Sequence, residues 1–138
     1  MAKIRTVEYF KLSVPDRPGE GAKLLRSLKQ QDVGLLAFSA FPEGRGSQVD
    51  FVPEDSRGFL RAARSLGWEI EAAKTGFLMQ GKDRTGALAS LLRKLADARI
   101  NVIAIDAVGA GKRRFGAIFW VAPKDVAKAA KLLKAKRG

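Results

Sequence analysis

The chain has neither cysteine nor histidine among its 138 residues. Without thiols there are no disulfides, no thiolate nucleophiles and no sulfur-based zinc site; without imidazole there is no histidine ligand, acid or base. Most hydrolase and metalloenzyme chemistries fall with them. Catalysis by carboxylate, lysine or serine stays open, but no paired-carboxylate or Ser-x-x-Lys arrangement stands out, so the sequence reads as a non-enzyme that needs no cofactor. Long apolar runs are missing too. The longest uncharged apolar stretch, Gly116 to Ala122, is seven residues, against the ~20 a bilayer crossing requires. No membrane span is expected, and Met1 to Tyr9 lacks a signal-peptide core, which makes the cytoplasm the expected location.

What remains is a charged but globular composition, 46% hydrophobic and 29% charged, the balance of a chain that buries a core rather than of a disordered tail. Its length suits one ordinary domain or two small ones of roughly 60 to 70 residues that share an interface. The formal net charge of +12 is unevenly spread: residues 1–70 hold 11 Lys+Arg against 9 Asp+Glu, residues 71–138 hold 15 against 5. Such a field speeds encounter with nucleic acid, acidic proteins or anionic metabolites without choosing among them.

The sequence also repeats itself. Asp16-Arg17-Pro18-Gly19 leads into Leu24, Leu25 and Leu28; 67 residues later Asp83-Arg84-Thr85-Gly86 leads into Leu91, Leu92 and Leu95, and the register holds through Val33/Ile100, Leu35/Val102 and Ala37/Ala104. A second block, Val52-Pro53-Glu54-Asp55 against Ala122-Pro123-Lys124-Asp125, returns at a spacing of 70. Two copies of one module with an insertion in a connecting loop explain both spacings.

Each copy reads the same way. Val7 to Val14 alternates as a half-buried strand, residues 19–31 carry one apolar stripe of a helix opened by Pro18, and Leu35–Phe41 with Gln48–Val52 flank a Pro42-Glu43-Gly44-Arg45-Gly46 turn. Ser56–Leu66 is a second helix and Trp68–Ala73 a fourth strand. Copy two follows with Gly76–Gly81, Ala87–Ala98, Asn101–Ala107, Phe115–Val121 and Lys124–Lys134, then ends before a last strand. The order βαββαβ predicts an α+β fold: tandem ferredoxin-like modules over residues 6–73 and 76–136, each an antiparallel sheet with its helices on one face, the second copy lacking its last strand. Only two residues, Lys74 and Thr75, separate the last strand of copy one from the first of copy two. They reach ~7 Å, so these strands form a hairpin or a strand is exchanged between modules or chains.

An alternating strand, Asp-Arg-Pro-Gly opening a leucine-rich helix, and Val33-Gly34-Leu35 or Ile100-Asn101-Val102 starting the next strand resemble the ACT domain. The likeness spans residues 6–134 and implies a protein of two ACT modules that binds an amino acid or similar metabolite where modules pair, without an attached enzyme. In ACT regulatory domains resembling that of phosphoglycerate dehydrogenase, an Asn-Arg-Pro-Gly loop faces an asparagine at the second strand of the partner module. Asp16, Arg17, Pro18 and Gly19, with Asp83, Arg84, Thr85 and Gly86, match the loop with Asp in place of Asn, and Asn101 matches the partner asparagine. Copy one has Gly34 there, and Val14 and Gly81 replace that family's histidine. The implied partners are an amino acid and a second copy of the chain, with Asp83, Gly86 and Asn101 of different subunits around the ligand.

The loops carry physics of their own. A helix start presents unpaired N–H groups and the positive end of the macrodipole to a carboxylate. Equally, Asp16 and Asp83 can simply cap their helices. The alternative function, a basic adaptor for nucleic acid or an acidic protein, rests on Lys112-Arg113-Arg114 and on Lys124, Lys128, Lys131 and Lys134, which share the helix face opposite Val126, Ala130 and Leu133. Gly109-Ala110-Gly111-Lys112 precedes a strand and reads as a hairpin turn rather than a phosphate loop.

Overall fold

The computed structural model describes residues 2–82 and 85–137. The chain divides into two compact units: residues 8–74, the first-copy unit, and residues 1–7 with 75–138, the second-copy unit.

The first-copy unit holds the C-terminal part of β1 (Lys3–Pro15), then α1 (Glu20–Gln30), β2 (Leu35–Glu43), β3 (Gly46–Pro53) and α2 (Ser56–Leu66). β3 lies antiparallel between β1 and β2, with Phe51 opposite Phe10 on one side and Phe38 on the other. The period-2 alternation sends Phe10, Leu12, Val49 and Phe51 to one face, where Leu24 and Leu28 of α1 and Phe59, Ala62 and Ala63 of α2 cover them. Aromatic rings organise this core: Phe59 lies 5.1 Å from Phe10 and 5.2 Å from Phe51, and the Trp68 indole stacks on Phe51 at 5.7 Å. α2 is capped at both ends. Asp55 accepts a hydrogen bond from the Arg57 N–H at 3.2 Å, and Gly67 at φ 73° turns the chain out of the helix so that the Trp68 N–H reaches the Ala63 carbonyl at 2.9 Å.

The second-copy unit contains β4 (Lys74–Lys82), α3 (Thr85–Asp97), β5 (Val102–Gly109), β6 (Arg114–Val121), a 3-10 turn (Pro123–Asp125), α4 (Val126–Leu133) and the two-residue β7 (Lys136–Arg137). β6 runs antiparallel between β4 and β5, placing Phe119 opposite Phe77 and Ile105. β4 is bordered on its other side by β1, whose residues 3–7 belong to this unit. β7 pairs with β1 in parallel, Arg5 opposite Lys136. Phe77, Met79, Phe115, Ala117, Phe119 and Val121 meet Leu91 and Leu95 of α3 and Ala129 of α4, with Phe77 and Phe119 stacked at 5.1 Å.

Both units thus have the expected ferredoxin-like α+β order with helices on one face of the sheet. The differences lie at the last strands. Residues 68–73 do not form a strand: Trp68 and Ile70 point into the core as their alternation requires, yet the segment is tied to β1 by a single backbone bond, Glu71 N–H to Lys11 C=O at 3.3 Å. The last-strand slot beside β4 is filled by the start of β1, and β7 is the remnant of copy two's own last strand. Of the two ways to join the copies, strand exchange within the chain is the one the structure uses. Ala2 runs so close to Gly81 that a Cβ there would sit 2.8 Å from the Ala2 Cα, which is why glycine occupies that point of β4. The helix expected over Lys124–Lys134 starts as the 3-10 turn and becomes α-helical at Val126.

Phe51 touches Phe38, Phe59 and Trp68 and is fully buried, so Phe51→Ala is expected to cost ~3 to 5 kcal/mol. Urea unfolding followed by tryptophan fluorescence measures it.

Candidate functional site

The first-copy loop closes on itself. Gly19, at φ 92°, takes the N-cap position of α1 without any side-chain cap, so Asp16 stands exposed and does not cap the helix. Arg17 donates from Nε to Glu20 Oε2 at 2.8 Å, and Lys23 Nζ reaches the same oxygen at 3.5 Å. The hydrogen bond from Arg17, ahead of the charges of Lys23 and Arg17, holds the Glu20 carboxyl below its ordinary range. A carboxylate of the chain's own therefore lies in the first turn of α1, where the helix dipole favours an anion.

In the second copy Asp83 and Arg84 lie outside the described residues. Thr85 and Gly86 open α3, both exposed, and a Cβ on Gly86 would meet open space. The residue in register with Glu20 is Ala87, partly buried against the core. No acidic residue stands in the first turn of this helix. Asn101 sits exposed between buried Ile100 and the start of β5. At the matching place in copy one, Gly34 faces the Glu54 carboxylate so closely that a Cβ would lie 2.7 Å from its oxygen. Asparagine could stand there only if Glu54 moved away.

A cleft of about 420 Å³ opens beside α1 in the first-copy unit. Its walls are Leu12, Ser13 and Val14 of β1, Glu20, Lys23, Leu24 and Ser27 of α1, and Gly67, Trp68 and Glu69. The cleft exists because residues 68–73 fail to complete a ladder along β1. Both charge signs and a hydroxyl line it, and its volume is in the range of small-molecule sites. Sequence reading missed it, since nothing in the alternation of Trp68–Ala73 signals that hydrogen bonding will stop.

Also unforeseen is Asp50, buried in the middle of β3, where Gln48 Nε2 donates to its Oδ1 at 2.8 Å. Burial pushes its carboxyl pKa up, opposed by the Gln48 hydrogen bond and by the charges of Lys11 and Lys74. Tyr9 is raised as well, by burial first and then by the Asp50 charge. The acid between Val49 and Phe51 was the visible signal. Among the described residues no group of three Asp or Glu side chains is placed to hold a metal ion, and no helix is long and apolar enough to cross a membrane.

The basic residues are distributed over the second-copy unit. Lys112 and Arg113 form the β5–β6 turn, Arg114 begins β6, and Lys124 lies in the 3-10 turn. On α4, Lys131 points to solvent and Lys134 is the C-cap in left-handed geometry, whereas Lys128 donates to the Ala98 carbonyl at 2.9 Å, stabilising the C-terminus of α3. Phe115, Phe119 and Trp120 are buried and offer no stacking platform. Trp68, left open by the sequence, packs within its own unit on Phe51 and Phe59.

Comparison with known proteins adds the following. The model of the ACT domain matches residues 77–137, from β4 through β7. No curated protein matches the chain. Among solved structures, a protein of Bacteroides thetaiotaomicron superposes with a TM-score of 0.75 at 14% identity, covering 96% of this chain and 88% of that one. The regulatory subunits of aspartate kinase from Thermus thermophilus, in its ligand-free form, and from Thermus flavus give TM-scores of 0.63 and 0.61 at 16% and 18% identity. These cover 96% and 97% of this chain and 94% of each subunit. At such identities the likeness is one of fold.

Two titrations follow from the site. The lowered Glu20 pKa means that its stabilising contribution is present above the unfolded glutamate range and lost as pH falls through the folded value; Glu20→Gln should therefore flatten the acid limb of a Tm-versus-pH curve. Asp50 has the opposite sign: its raised pKa makes the charged form unfavourable in the fold, so stability is lost as pH rises through the folded value. Asp50→Asn should unfold at a higher temperature than the parent at pH 7, the gap narrowing on acidification, as differential scanning calorimetry would record.

Proposed function

We propose that the chain is a regulatory, amino-acid-sensing protein of two ACT-like modules, not an enzyme. In this reading the effector is held by the second-copy loop, Asp83-Arg84-Thr85-Gly86, together with Asn101 of a partner subunit. The observation that carries it is an asymmetry between the copies. The ACT match falls on the copy that keeps Asn101 and has Ala87 where the other has Glu20. In the first copy the loop Asp16-Arg17-Pro18-Gly19 leads into a helix start already furnished with a carboxylate, which Arg17 engages; the first turn of α3 has none. An effector's acid group is the counterpart that α3 lacks, and a carboxylate from Asp83 would suit its ammonium.

The dimer is supported by β5. It is the edge strand of its unit, and two apolar side chains on it, Ile103 and Val108, are 60% and 70% exposed. An unpaired strand edge with apolar side chains is a template for pairing with another chain, and pairing two copies of β5 would bring each Asn101 toward the partner. The fold shared with aspartate kinase regulatory subunits is consistent with a role in control rather than chemistry.

A thermal-shift screen of the twenty amino acids and common 2-oxo acids tests the assignment. An effector at ~100 times its dissociation constant adds ~2.7 kcal/mol of stability, and the shift should vanish in Asn101→Ala while surviving in Ser27→Trp, which fills the cleft beside α1. No shift with any compound would refute sensing; a shift lost only in Ser27→Trp would move the site to the cleft. Sedimentation should give a dimer for the parent chain and a monomer for Ile103→Lys.

A further inference from the structure

We infer that the second-copy unit docks the phosphodiester backbone of double-stranded nucleic acid, through the end of its sheet where Lys82 of β4 meets the Lys112-Arg113-Arg114 turn. The inference is independent of the sensor reading and rests on where the charge lies and how it is held.

Divided by structural unit, the charge separates completely. The second-copy unit, residues 1–7 and 75–138, has 16 Lys+Arg against 4 Asp, and the first-copy unit has 10 Lys+Arg against 10 Asp+Glu, so the whole net +12 belongs to one unit. That charge is not balanced internally. The salt bridges among the described residues, Arg17–Glu20 and Lys23–Glu20, are both in the neutral unit. In the basic unit two cationic pairs face each other directly across the sheet, Lys82 opposite Arg114 and Arg5 opposite Lys136. Like charges in cross-strand register repel, and a sheet under pressure for stability alone would carry an acid at one position of each pair.

The turn beside the first pair is shaped against local preference as well. Gly111, Lys112 and Arg113 have φ of 80°, 51° and 62°, three consecutive left-handed residues of which only the first is glycine. Two bulky cations held in a conformation that favours Gly or Asn, and fully exposed at the tip, are an outlier of the kind found at ligand-contacting loops.

The surroundings select among polyanions. Protein interfaces are anchored by apolar or aromatic side chains set among the charges, and the tip, Ala110-Gly111-Lys112-Arg113-Arg114, has no large apolar side chain. Single strands are gripped by aromatic stacking, and Phe77, Phe115, Phe119 and Trp120 of this unit are buried. Cations without anchor or platform suit phosphates, contacted without regard to sequence.

Fluorescence anisotropy with the full chain and a labelled mixed-sequence DNA duplex of about 20 bp, at salt from about 50 to 200 mM, tests this. Log affinity should fall linearly with log salt. The double variant Lys112→Glu/Arg113→Glu should bind at least about tenfold more weakly, with a slope shallower by about two. Lys82→Glu should weaken binding yet raise Tm, because it restores an opposite-charge pair with Arg114; this readout separates lost contact from lost fold. Absence of binding at the lowest salt, or affinity unchanged in both variants, would overturn the inference. Displacement by polyglutamate as effectively as by unlabelled duplex would reassign the surface to acidic proteins, and tighter binding of a single strand of equal length would contradict the duplex.

Discussion

β1 is the strand on which the architecture depends. In the first-copy unit β3 pairs with its C-terminal part and β2 with β3; in the second-copy unit β4 and β7 flank its N-terminal part, β6 pairs with β4 and β5 with β6. Every strand finds its place through β1 or through a neighbour anchored to it. The thirteen residues Lys3–Pro15 must therefore satisfy two registers, and their composition fits both: Ile4 packs with the Phe77–Phe119 core, Phe10 and Leu12 with the Phe51–Phe59 core.

Much of this was legible because the repeat doubles each signal. Helices opening after Pro18 and Thr85, the hairpins around Gly44 and Gly111, and the apolar stripes of Leu24/Leu28 and Leu91/Leu95 follow from periodicity and turn chemistry alone. The last strands did not follow. Trp68-Glu69-Ile70-Glu71 has the alternation of a strand and the burial of one, but side-chain pattern does not specify which backbone will occupy a slot, and strand exchange is decided by pairings far apart in sequence. The same blindness hid the cleft beside α1, which is the space that an incomplete ladder leaves.

At the candidate loops the repeat was a good guide to position and a poor one to state. Equal sequences, Asp-Arg-Pro-Gly and Asp-Arg-Thr-Gly, precede helices whose first turns differ by one side chain, Glu20 against Ala87. That substitution lies outside the motif, so comparison of motifs could not rank the copies, whereas the Arg17–Glu20 bond does. Duplication followed by neutralisation of one copy also appears in the charge, with one unit balanced and the other retaining the full excess.

The sharing of β1 has a consequence for how the protein is made. The first-copy unit is a continuous segment and can close as soon as residue 74 has left the ribosome, but the segment Lys3 to Val7 must then wait, with its hydrogen-bonding groups open, until β4 and finally Lys136–Arg137 are synthesised. Maturation of the basic half is thus slaved to the slowest kind of contact, one that joins the two extremes of the polypeptide.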